Sequence, residues 1–121
     1  MLAQSLAPIL RDLEASGLDA PRIEDNDWAD NPEAASAMLW SPGGSGMGIQ
    51  VGVAAPEVER VAMVADQVQE WVIEELWGSA PTNWPRCPIH PHSHPLEAFA
   101  LDVATWVCPA DRTPISAVGT L

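Results

Sequence analysis

PEVERVAMVADQVQEWVIEELWG, residues 56–78, carries the clearest periodicity in the chain, and the fold is read outward from it. Val58, Val61, Val64, Val68, Trp71, Val72 and Leu76 recur at intervals of three and four, which gathers them on one stripe of a long helix. Pro56 suits the first helical position, where an N–H would be unpaired anyway. Glu57 and Glu59 meet the positive end of the helix dipole, and Gly78 stands where a helix stops. Glu70, Glu74 and Glu75 fall largely on the opposite side and read as a solvated face.

On the N-terminal side of this helix, Ser36–Ser41 and Met47–Val53 are apolar segments compatible with strands. Pro42, Gly43, Gly44, Ser45 and Gly46 separate them, a composition suited to a hairpin loop. Ile49, Val51 and Val53 alternate with Gly48, Gln50 and Gly52, so one face of the second strand is built for burial. The glycines lack dinucleotide-binding or P-loop spacing, and no lysine follows them, which argues against a phosphate cradle. Asp19–Glu33 is acidic, with a short strand expected at Arg22–Asp25. Asp25, Asp27 and Asp30 lack the glycine and closing glutamate of a calcium loop and read as wet surface. At the start of the chain, Leu2, Leu6, Ile9, Leu10 and Leu13 mark a second amphipathic helix ending at Gly17. Pro8 fits it only if the helix begins near Ser5.

Composition narrows the partners. Seventeen Asp and Glu stand against five Arg and no Lys, a formal charge of -12. No basic patch is present to replace the counterions of a phosphate backbone, so direct nucleic-acid binding is not expected and a protein partner is. No run of residues approaches the length of a membrane span. Residues 1–15 meet Pro8 and Asp12 and carry no positive charge before Arg11, unlike a secretory signal, so a cytoplasmic location is expected. The lack of lysine beside many Ala, Pro and Trp suggests a GC-rich bacterial source.

Beyond the long helix the character changes. Pro81, Pro85, Pro88, Pro91 and Pro95 forbid a helix, and Ala98–Leu101, Thr105–Cys108 and Ile115–Val118 follow as three short expected strands. All three histidines and both cysteines of the chain lie between positions 87 and 108. Without a secretory signal the cysteines are better metal ligands than disulfide partners. Cys87, His90, His94 and Cys108 form Cys-x2-His-x3-His-x13-Cys, a thiolate and imidazole set of the kind a structural zinc ion takes. Two other side chains compete with His94. Asp111 follows Cys108 at the spacing at which His90 follows Cys87, and His92 alternates with His90 and would face away in an extended chain.

Residues 84–118 resemble a zinc-ribbon knuckle, with Cys-Pro turns at Cys87-Pro88 and Cys108-Pro109. They depart from it at Asp111, which stands where the second turn would carry a cysteine. The resemblance implies a bound Zn2+ and no particular cellular role. The expected architecture is α+β: a helix, a small antiparallel sheet and a long helix in a body of residues 1–80, then a zinc-stabilised β module at 81–121 packed on it. A non-catalytic interaction or accessory protein fits a filled ligand set. A zinc hydrolase would need an open position, with Glu97 or Asp111 as base, and an acidic nucleic-acid mimic would need carboxylates arrayed on one face. Ser93 between two histidines has no nucleophile elbow around it, and no catalytic set is assigned.

Overall fold

The computed structural model describes residues 2–77 and 82–121. In chain order it contains α1 (Leu2–Ala15), β1 (Arg22–Asp25), β2 (Ala34–Trp40), β3 (Gly46–Gly52), α2 (Glu57–Leu76), β4 (Glu97–Ala100), β5 (Ala104–Val107) and β6 (Pro114–Ala117). Two helices and two three-stranded antiparallel sheets, ordered β1-β2-β3 and β4-β5-β6, make the α+β fold that the sequence pattern implies. Gly78 and Pro81 lie outside the described residues. No helix among those residues is long and apolar enough to cross a membrane.

The first sheet follows from alternation. Ala37 pairs with Ile49 and Ala35 with Val51, and Ala37, Leu39, Ile49 and Val51 all point into the core. The loop between β2 and β3 closes with Ser41 N donating to Ser45 O at 2.8 Å and Gly44 N to Ser41 O at 3.0 Å. Along β3, Gln67 of α2 acts like a short extra strand. Its amide accepts from Gln50 N at 2.9 Å and donates to Gln50 O at 2.8 Å, which occupies backbone groups that an edge would otherwise offer to another chain.

Helix α2 packs against α1, β3, β4 and β5. Val61, Val64, Val68, Trp71 and Val72 of its expected stripe are buried, with Val58 and Leu76 half-buried at its ends. Pro56 stands one place earlier than expected, extended just before the helix, where its carbonyl accepts from Arg60 N. One continuous cluster of buried side chains reaches from Leu2 through α2 to Val118, so both sheets share it.

Helix α1 corrects one expectation. It begins by Leu2, not near Ser5, and Pro8 lies inside it. The carbonyl that Pro8 cannot serve belongs to Gln4, an exposed residue where water can take the acceptor. Gly17 ends the helix as expected. It has φ +72°, and Leu18 N reaches back to Leu13 O at 3.0 Å, a cap that a side chain at position 17 would strain.

A buried carboxylate ties α1 to the end of the chain. Asp12 is fully buried and accepts three N–H groups: Trp106 Nε1 at 2.8 Å, Gly119 N at 2.7 Å and Leu121 N at 2.9 Å. Gly119 comes so near that a Cβ there would lie 3.1 Å from Pro8 Cβ, and its φ is +100°. Only glycine meets both conditions without strain.

Candidate metal centre

The proline-rich segment enters and leaves the core at one place. Leu96 N donates to Pro85 O at 2.8 Å, and Arg86 and Pro95 form an antiparallel bridge, so residues 85–96 make a loop with a closed base. Gln69, buried on α2, fastens that base by donating its amide to Trp84 O at 3.2 Å and Leu96 O at 2.5 Å. Asn83 Nδ2 holds the far side through Pro91 O at 2.6 Å, and Ser93 N closes a turn on His90 O at 3.2 Å. Prolines cannot donate to a ladder, so these side-chain and end-to-end bonds supply what regular pairing would have given.

Four side chains converge above this base. Cys87 and His90 come from the first turn of the loop, His94 from its return, and Cys108 from the residue after β5. Their donor atoms all lie within 4.8 Å of one another. Cys87 Sγ is 3.8 Å from His90 Nδ1, Cys108 Sγ is 3.5 Å from the same nitrogen, and Cys108 Sγ is 4.0 Å from His94 Nε2. The cysteines are buried and unjoined, while both imidazoles are half-buried. The set is positioned to bind a metal ion.

The surroundings orient the donors. His94 Nδ1 sits 3.2 Å from Pro95 O, and a carbonyl only accepts, so the proton belongs on Nδ1 and the lone pair of Nε2 faces the thiols. Burial pushes the Cys108 thiol above its ordinary pKa, while the backbone N–H groups of Asp111 and Ala110 pull the other way by favouring the thiolate. A cation would work with those N–H groups. Trp84 and Trp106 pack edge to face beside the cysteines, ring centres 5.8 Å apart and planes at 75°. Trp84 Nε1 donates to Ser16 Oγ at 2.9 Å, so both indoles are satisfied while they exclude water from the loop base.

Of the competitors for the fourth place, neither belongs to the group. His92 is exposed on the loop. Asp111 is exposed as well. Its carboxylate accepts from Thr113 N at 3.0 Å and is held below the usual carboxylate range first by Thr113, through side chain and backbone, and then by the Cys108 thiol. Cys108 N donates to Thr113 O at 2.9 Å and Arg112 N to Cys108 O at 2.8 Å, so residues 108–113 form a tight turn in which Asp111 serves the backbone.

Sequence reading missed Gln69 and Asp12, the residues that anchor the loop base and the strand leading to Cys108. The signal was there: each is a polar residue on or beside an apolar helical stripe, Asp12 between Ile9 and Leu13 and Gln69 beside Val68 and Val72. Compared with protein-family models, curated proteins and solved structures, the chain matches none of them.

Proposed function

We propose that the chain is a small acidic zinc-binding protein in which Cys87, His90, His94 and Cys108 hold one structural Zn2+, and that it acts as a non-catalytic interaction or accessory factor. The carrying observation is the spacing of the four donors. Tetrahedral bonds of about 2.3 Å to sulfur and about 2.05 Å to nitrogen place sulfur and nitrogen about 3.6 Å apart around zinc. Three of the four sulfur–nitrogen separations, 3.5, 3.8 and 4.0 Å, bracket that edge, and the fourth is within 4.8 Å. Hydrogen bonding accounts for them less well. One N–H of His90 cannot point at two sulfurs at full strength, whereas one lone pair can point at a cation between them.

Zinc is favoured because two soft thiolates and two imidazoles in a tetrahedral set suit it better than magnesium, calcium or manganese, which select oxygen. Four protein donors leave no place for an activated water, and this supports a structural role over hydrolysis. In that role the ion ties the loop of residues 85–96 to the end of β5. The knuckle resemblance fits this reading, with a histidine from the loop in place of the second cysteine of the closing turn.

Metal analysis of the purified protein, joined to X-ray absorption at the zinc edge, tests the proposal. One zinc per chain with two sulfur and two nitrogen neighbours is expected. A metal-free folded protein, a Cys87–Cys108 disulfide or a coordinated water would overturn it, the last in favour of a hydrolase.

A further inference from the structure

The C-terminal half of α2 faces the β2–β3 loop across two adjoining hollows of about 340 and about 420 Å³, separated by Trp71. Apolar side chains line much of the first: Leu18, Pro42, Trp71, Val72 and Leu76, of which Trp71 and Val72 are buried. Acidic side chains line both hollows, Asp19 and Glu75 the first and Glu70, Glu74 and Glu75 the second, with no Arg or His among the lining residues. Trp77, one residue past Leu76, is 78 % exposed.

This arrangement works against the helix that carries it. Glu70 and Glu74 are one turn apart and repel, and Glu74 and Glu75 sit in the last turn, where the backbone dipole is already negative. No basic residue in that turn offsets them, and residues 78–81 contribute no charge of their own. The only ion pair among the described residues, Arg22 with Glu24, lies on β1. The fold therefore leaves this negative potential to be met from outside. A second copy of the chain is a poor candidate, because each copy carries -12 and the same glutamates would face each other.

We infer that this groove docks a cationic amphipathic segment of a partner protein, with an apolar residue seated against Trp71 and Leu76 and Arg or Lys side chains paired with Glu70, Glu74 and Glu75. The inference deepens the interaction role proposed above and does not depend on the ion. Apolar area gives such a contact its hold, and complementary charge gives it register and speed of encounter.

The test uses the full chain as purified and a labelled amphipathic peptide of leucine and arginine at helical spacing, with an arginine-only peptide of equal charge as control. Binding of the first peptide should shift the indole N–H resonances of Trp71 and Trp77, and the control should bind at least about tenfold more weakly because it lacks the apolar anchor. Glu70→Lys with Glu74→Lys should weaken binding by about tenfold or more. Glu33→Lys with Asp102→Lys, the same change of net charge at exposed sites outside the groove, should change it by less than about twofold. Equal losses in the two pairs, shifts spread over the whole acidic surface, equal binding of both peptides or no binding at low salt would each overturn the inference. So would a dimer in sedimentation that Trp77→Ala dissolves, which would assign the groove to a second copy. Zinc content, read on the same samples, fails or holds separately.

Discussion

The two sheets have the same strand count and the same up-and-down order, yet they are held by different forces. In the first, β2 and β3 run seven residues each, and Ala37, Leu39, Ile49 and Val51 bury one face against the helices. In the second every strand has four residues, too short for alternation to bury much. Its central strand is nevertheless buried along its whole length. Polar side chains from the helices make up part of the difference, and the Cys/His group adjoins them: Asp12 holds Trp106, Gln69 holds the loop that feeds β4, and Cys108 follows β5 among the donors. Long strands can rely on apolar surface, whereas short strands need cross-links.

The sharpest way to break the comparison is to take away the proposed metal or one of its donors. Chelation, or Cys108→Ser, should cost about 4 kcal/mol or more and lower the melting temperature by about 15 °C. Amide exchange should show β4, β5 and β6 losing protection first, with β2 and β3 still protected. Uniform loss in both sheets, or none, would mean that they do not differ as argued.

Asp12→Ala comes next. It leaves Trp106 Nε1, Gly119 N and Leu121 N without their acceptor in a buried place, and a loss of about 3 kcal/mol is expected in denaturant unfolding. Asp12→Asn, which keeps one oxygen, should lose less. Gln69→Leu keeps the volume of the side chain roughly constant but orphans the carbonyls of Trp84 and Leu96. A cost of about 2 kcal/mol and about tenfold weaker zinc affinity in competition with a chelator should follow. The smallest effect belongs to the first sheet: Gln67→Ala strips the clip from Gln50 and should cost about 0.5–1 kcal/mol while leaving zinc affinity unchanged. If Gln67→Ala weakened zinc binding as much as Gln69→Leu, the contrast between the sheets would be lost.

What the sequence reveals follows the same division. The α2 stripe and the hairpin loop are legible because burial and turn chemistry act within a few residues of each other. Arg22–Asp25 is placed on the residues where it is found. The other five strands begin one or two residues before the expected position, as with Ala34–Trp40 against 36–41 and Pro114–Ala117 against 115–118. Strand ends are set by the partner across the ladder, such as Ala34 opposite Gly52, and a single segment does not display its partner. The gathering of Cys87, His90, His94 and Cys108 is legible because thiols and imidazoles are scarce and their chemistry is narrow. Its supports were not, since Asp12 and Gln69 act on residues 15 to 109 positions away. Pro8 was misjudged for a related reason: whether a mid-helix proline is tolerable depends on whether the carbonyl it abandons is wet.

The Asp12 clamp also bears on the order in which the fold can close. The carboxyl group and its three donors lie 94 to 109 positions apart along the chain. Contacts of that sequence separation are slow to form, so the docking of α1 is completed only when the segment carrying Trp106, Gly119 and Leu121 has been brought to it. A variant that loosens that segment would thereby release α1 as well, and the two would open to proteolysis together.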